Sequence, residues 1–203
     1  MVRHQAEEAY DLIAQQYAVR HQAMPPRIVE LGERFLEYLT PGARILDVGC
    51  GAGRDMAWME AHGFRTTGID LSSGMLAQAR KLARGEVRHM DMCHLTFPDA
   101  SFDGVWCSSS LLHVPHALAT VALGQMRRVL VKAGMLFLSL LEGESERWET
   151  EASEFAQVQR LFVHYPQTVV TTYLSQAGFV PAEQYRDDTG THIWLNFLAR
   201  AVG

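Results

Sequence analysis

The chain has no apolar run long enough to cross a bilayer. Its longest near-candidate, Gly134 to Leu141, has the length of a buried strand. It has no tract of lysine and arginine, and its net charge is -5, a balance that disfavours a nucleic-acid partner. Its three cysteines, Cys50, Cys93 and Cys107, lack the close spacing of a metal site or a disulfide framework. No metal is expected, and the cysteines read as small core or strand-end residues. The opening Met1-Val2-Arg3-His4-Gln5 leads into a polar helical pattern, not the apolar segment of an export signal. A cytoplasmic protein without a membrane anchor is therefore expected. There are no internal repeats and no low-complexity linker.

What is there is a globular composition, 48% hydrophobic and 20% charged over 203 residues, which suits one α/β domain over 1–203. Gln5 to Arg20 reads as a helix, with Tyr10, Ile13 and Tyr17 at helical spacing. Pro25-Pro26 interrupts it, and a second helix is expected from Arg27 to Leu39. These two form an N-terminal cap over 1–40. From 41 to 203 a core follows, in which strands and helices alternate. Strands are expected at Arg44–Val48, Thr66–Asp70, Glu86–Asp91, Phe102–Ser108 and Met135–Leu141. Helices are expected at Asp55–His62, Ser73–Ala83, His116–Val131 and Pro166–Ala177. The last two strands, Phe179–Arg186 and His192–Arg200, are joined by a link too short for a crossover helix, so they pair antiparallel. The expected fold is α/β: a Rossmann-like, seven-stranded, mostly parallel sheet with an antiparallel C-terminal hairpin and helices on both faces. The acidic run Glu142, Glu144, Glu146, Glu149, Glu151 and Glu154 reads as a solvated loop and helix start.

In a wound sheet, ligands bind beyond the carboxyl ends of the strands. Asp47-Val48-Gly49-Cys50-Gly51-Ala52-Gly53 sits at such an end and opens a helix. A dinucleotide fingerprint needs Gly-x-Gly-x-x-Gly, but the glycines here are 49, 51 and 53, and Arg54 stands where the third would be. Asp47 beside the loop would repel a pyrophosphate. It suits a ligand with an ammonium group, such as the methionyl end of S-adenosylmethionine. The carboxylate of that end can take loop N–H groups or Arg54. Asp70, about 20 residues on, has the position of a ribose-hydroxyl acceptor. Asp91 can accept from an adenine amino group, and Met75 and Met92 can pack on the adenine faces or serve as ordinary core.

Several runs in order then resemble one family. Ile45 to Gly53 resembles the first motif of class I methyltransferases. Gly68-Ile69-Asp70-Leu71-Ser72 resembles their second-strand signature. Asp91 and Leu95 to Asp103 resemble their third and fourth strands, and Leu111-Leu112-His113-Val114 and Arg128 to Gly134 their later motifs. Ala9 to Tyr17 is similar to the lid helix of the ubiquinone/menaquinone-type (methyltransferase type 11) subgroup. The resemblance implies S-adenosylmethionine as cofactor, with S-adenosylhomocysteine as product, and a methyl transfer to O, N or S of a small-molecule acceptor. It implies that the Tyr10/Tyr17 helix closes over the cofactor, the alternative being a helix packed permanently on the sheet, and that Leu71 and Ser108 line it. His113 falls where the family keeps its acceptor, as a base or orienting group, or else as a structural histidine bonded to backbone. His164, Tyr165, Arg186, His192 and Trp194 fall in the C-terminal region that would wall the acceptor pocket, each of them otherwise a packing or surface residue. A monomer or homodimer is expected. The alternatives are a non-catalytic module that holds the same cofactor, a nicotinamide oxidoreductase and a nucleic-acid methyltransferase.

Overall fold

The computed structural model describes residues 2–150 and 158–202. Two helices come first, α1 (Val2–Arg20) and α2 (Pro26–Glu37). Pro26 opens α2, where a missing N–H costs nothing because the first turn has no partner for it. The alternation follows as β1 (Arg44–Val48), α3 (Arg54–Ala61), β2 (Arg65–Asp70), α4 (Ser73–Leu82), β3 (Glu86–His89) and β4 (Phe102–Ser108). A 3-10 turn, Leu111–His113, leads to α5 (His116–Val129) and β5 (Leu130–Glu142). Then come β6 (Glu146–Thr150), β7 (Gln159–Tyr165), α6 (Gln167–Gln176), β8 (Phe179–Asp188) and β9 (Ile193–Ala201).

The seven expected strands are all present. β3, β2, β1, β4 and β5 lie side by side in that order and run parallel, and β9 pairs antiparallel with both β5 and β8. Two further strands, β6 and β7, were not expected. They pair antiparallel with each other, and β7 meets β5 only at Leu141 and Glu142. Glu146–Thr150 thus forms a strand where the acidic pattern suggests a loop and helix start; Glu151 and Glu154 lie outside the described residues. The strand comes from its partner: β7 supplies the backbone ladder, and Arg147 Nε donates to Glu149 at 2.6 Å to offset the crowding of acids.

Residues of β4 and β5 alternate between two cores, as the two-residue period of a strand requires. Val105, Cys107, Leu136, Leu138 and Leu140 pack towards α5 and α6. Trp106, Met135 and Phe137 pack towards α2 and α3. Trp106 stacks on Phe137 with ring centres 3.9 Å apart, and its indole N–H donates to Asp55 at 2.9 Å. Among the described residues no helix is long and apolar enough to cross a membrane.

α1 stands apart from these cores. Among the described residues its buried Ala9 and Ile13 cluster with Val158, with Tyr10 and Tyr17 against them. The helix docks on the core through buried Ala14, packed against Gly74 of α4, and through polar contacts. Asp11 Oδ1 accepts from Ser72 Oγ at 2.6 Å and from Gly74 N–H at 2.7 Å, at the start of α4. Replacing Asp11 by alanine removes two hydrogen bonds to a charged group, each contributing about 1.5 kcal/mol or more. Amide exchange in α1 of Asp11→Ala should then accelerate more than tenfold while β4 and β5 keep their protection, as read by hydrogen-exchange mass spectrometry.

Candidate active site

A cavity of about 660 Å³ lies beyond the carboxyl ends of β1, β2 and β4, roofed by α1. Its floor begins with the loop after β1. Gly49 and Gly53 have left-handed φ values of +74° and +83°. A side chain at Gly49 would collide with Ser110, and one at Gly53 would lie 2.9 Å from Ala79 Cα. The loop N–H groups are largely used inside the fold. Gly49 and Cys50 donate to Ile69 O, Gly53 donates to Cys50 O, and Gly51 donates to Asp70 Oδ2 at 2.9 Å. That leaves the Arg54 side chain, with its Nε on Asp55 Oδ1 at 2.6 Å, as the cation at the loop.

Asp47 lines the cavity at 3% exposure. Its Oδ2 is buried and has no hydrogen-bond partner among the described residues. Burial holds the Asp47 carboxyl well above its ordinary pKa; nearby Asp55 and Asp70 add to this, and Arg54 opposes it. Asp70 lies at the end of the next strand. Its Oδ1 accepts from Ser72 N–H at 2.8 Å, while Oδ2 holds Gly51. Burial raises the Asp70 carboxyl and these backbone donors pull it back. Each of its oxygens keeps a second lone pair. Asp91 follows β3, with Oδ1 accepting from Cys93 N–H at 2.8 Å. The three acids therefore stand at the ends of three adjacent strands, β1, β2 and β3.

His113 sits on the far side of the loop. Its Nδ1 meets Leu161 O at 2.7 Å, which makes Nδ1 the protonated nitrogen and leaves the lone pair on Nε2. Tyr10 OH donates to that Nε2 at 2.8 Å and accepts from Arg160 Nη1 at 2.9 Å. Burial lowers the pKa of His113 to about 4, and it raises that of Tyr10.

The structure brings Tyr10, Tyr17, Asp47, Gly49, Gly51, Arg54, Asp70, Leu71, Met75, Asp91, Met92, Ser108 and His113 to one cavity wall or another. Gly53 does not line it; it caps the start of α3 and packs closely against Ala79 of α4. Of the five residues expected along the acceptor wall, His192 and Trp194 line the cavity. His164 pairs with Ser145, Tyr165 is buried under Val114, and Arg186 reaches Glu142 at the surface. The wall instead takes Arg160 and Phe162 from the extra strand β7, and Arg27, Asp187 and Asn196. Asn196 had a visible signal, a polar residue inside the apolar run Leu195 to Leu198. Arg160 had none, because only the unexpected hairpin carries it to Tyr10. Among the described residues no three His, Cys, Asp or Glu side chains gather to hold a metal ion.

Residues 46–138 match a family described as a methyltransferase domain. Over 118 residues the chain is 39% identical to a malonyl-[acyl-carrier protein] O-methyltransferase of Erwinia pyrifoliae, covering 56% of this chain and 44% of that protein. Over 143 residues it is 31% identical to a ubiquinone biosynthesis O-methyltransferase of Pasteurella multocida, covering 63% and 57%. The chain spans about half the length of the curated relatives it matches. Among solved structures, the 1,6-didemethyltoxoflavin-N1-methyltransferase of Burkholderia thailandensis shares the fold. Its TM-score is 0.76 at 21% identity, over 98% of this chain and 88% of that one. Residues 46–138 thus resemble a methyltransferase domain, and nearly the whole chain shares its fold with a solved methyltransferase.

Proposed function

We propose that the protein binds S-adenosylmethionine along Asp91, Asp70 and Asp47 and transfers its methyl group to an O, N or S atom of a small-molecule acceptor. The observation that carries this reading is Asp47: its buried Oδ2 has no partner among the described residues and the residue faces the cavity, so a cationic donor there would offset the cost of its burial. An ammonium group answers it. Arg54 takes the carboxylate of the same amino-acid end, since the N–H groups of Gly49, Cys50, Gly51 and Gly53 are engaged. Asp70 accepts from ribose hydroxyls with its spare lone pairs and Asp91 from the adenine amino group. Leu71, Met75 and Met92 pack on the nucleoside, and Ser108 lies where it meets the acceptor half of the cavity. Tyr10 and Tyr17 close the roof and keep water out, α1 acting as a lid on the core. When bound, S-adenosylmethionine supplies a methyl group on a cationic sulfur, already activated for in-line displacement.

A hydroxyl or amine acceptor must also lose a proton. Tyr10 oxygen has two lone pairs, of which Arg160 takes one, and its own proton points at His113 Nε2. An acceptor that donates to the second lone pair can pass its proton to Tyr10 as Tyr10 passes its own to His113. The buried Tyr10 then never has to persist as a phenolate, which its raised pKa disfavours.

Two outcomes test the reading. Below its raised pKa, Asp47 carries a proton, and an ammonium placed beside it favours the ionised form. Binding of S-adenosylhomocysteine should then release a proton in a window above the ordinary carboxylate range. Affinity should rise with pH through that window and level off above it. Calorimetry in buffers of different ionisation enthalpy should register the release. Asp47→Asn should abolish it and weaken binding roughly thirtyfold or more. No binding at millimolar ligand would sink the proposal. For the relay, Tyr10→Phe and His113→Ala should each lower kcat on a hydroxyl or amine acceptor by about 100-fold. With His113 neutral above about 4, kcat at saturating cofactor should stay level between pH 5 and 7. An acid limb near 6.5 that His113→Ala removes would contradict it.

A further inference from the structure

The sheet order divides the cavity into two halves. The acids of β3, β2 and β1 lie under one half, and β4, β5 and β9 lie under the other. On this second half a polar row crosses the sheet. Ser108, Ser139 and Asn196 are register partners on β4, β5 and β9. They stand two residues beyond Trp106, Phe137 and Leu198, the register partners that continue the row of Asp47, and so on the same face. Ser139 and Asn196 are 0% and 1% exposed, in a stretch whose neighbours are leucine and phenylalanine. Such positions are apolar unless a partner compensates them.

The partners present satisfy only part of this row. Asn196 Nδ2 donates to Asp187 Oδ2 at 2.9 Å, and Arg27 Nε donates to Asp187 Oδ1 at 3.0 Å. A carboxylate held by an arginine accepts only, so it dictates which end of the amide faces it and leaves Asn196 Oδ1 turned away. That oxygen, and Ser139 Oγ in the same row, have no hydrogen-bond partner among the described residues. Asn196, Asp187 and Arg27 all line the cavity, with Trp194 and His192 beside them.

We infer that this row is the acceptor-recognition subsite and that it selects a hydroxyl-bearing molecule. A ligand O–H can donate to Asn196 Oδ1, the orphaned atom whose residue lines the cavity; Ser139 lies behind it in the row and does not line the cavity. An ether can only accept, and it leaves the Asn196 oxygen buried and unpaired. The inference rests on the methyltransferase reading for the role of the ligand as acceptor, but not for the chemistry of the subsite.

The test titrates matched pairs, phenol with anisole and benzyl alcohol with benzyl methyl ether, into the ¹⁵N-labelled full chain saturated with S-adenosylhomocysteine. The expected result is that the hydroxyl member of each pair binds about tenfold more tightly and shifts the Asn196 side-chain amide resonance. Asn196→Leu should erase the preference while the affinity for S-adenosylhomocysteine stays the same. Equal binding within the pairs of the unmodified protein, or no perturbation of the Asn196 amide by any of the four, overturns the inference. The pair comparison needs no variant, so it decides even if Asn196→Leu does not fold. If S-adenosylhomocysteine itself fails to bind, the proposed function falls, and the same titrations on the protein alone still judge the subsite.

Discussion

Asp70 holds two chain segments with one carboxylate, and a chain of hydrogen bonds runs outward from it. One oxygen takes Gly51 N–H and so sets the turn of the glycine loop; the other takes Ser72 N–H and so sets the entry to α4. Ser72 in turn caps α4 through Met75 N–H and donates to Asp11 on α1. The residue beside Asp11 is Tyr10, whose hydroxyl reaches His113, and His113 is tied to Leu161 on β7. The loop, the roof and the extra hairpin are therefore placed by one polar path that starts at the end of β2. Its members cannot be moved singly, because each donor or acceptor left behind would be partly buried.

The same arrangement concentrates acids where the fold least favours them. Asp47, Asp55 and Asp70 lie close together, and burial raises the carboxyls of Asp47 and Asp70. Asp55 has its own structural partners in Arg54 and the Trp106 indole. Asp47 has no such claim on its second oxygen. An apolar residue there would pack against the same core without that penalty, and this cost in stability is what the proposed cofactor site would account for.

Much of the fold was legible because its signals are local. Arg44–Val48 and Phe102–Ser108 are short apolar runs bounded by turn residues, and Ser72 before α4 is a capping residue that caps as read. The five parallel strands and the terminal antiparallel pair followed from alternation and from the length of one link. The hairpin of β6 and β7 was not legible. Glu146 to Thr150 is almost wholly exposed and rich in charge, and nothing in it marks a strand until β7 is beside it. Everything that rides on this hairpin, including Arg160 beneath Tyr10 and the carbonyl of Leu161 on His113, was out of reach for the same reason.

By itself the sequence determined the order of the elements other than β6 and β7, the glycine loop and the acids at the ends of β1, β2 and β3, since each depends on residues within a few positions of one another. Only the tertiary structure decided what those residues have left to offer. It consumed most of the loop N–H groups inside the fold, left one oxygen of Asp47 unpaired, turned the free nitrogen of His113 towards Tyr10, 103 residues away in the chain, and aligned Ser139 with Asn196 across two strands. Hydrogen-bond capacity is a property of the surroundings. A residue type states how many bonds a side chain can make, and the packing of distant segments states how many remain.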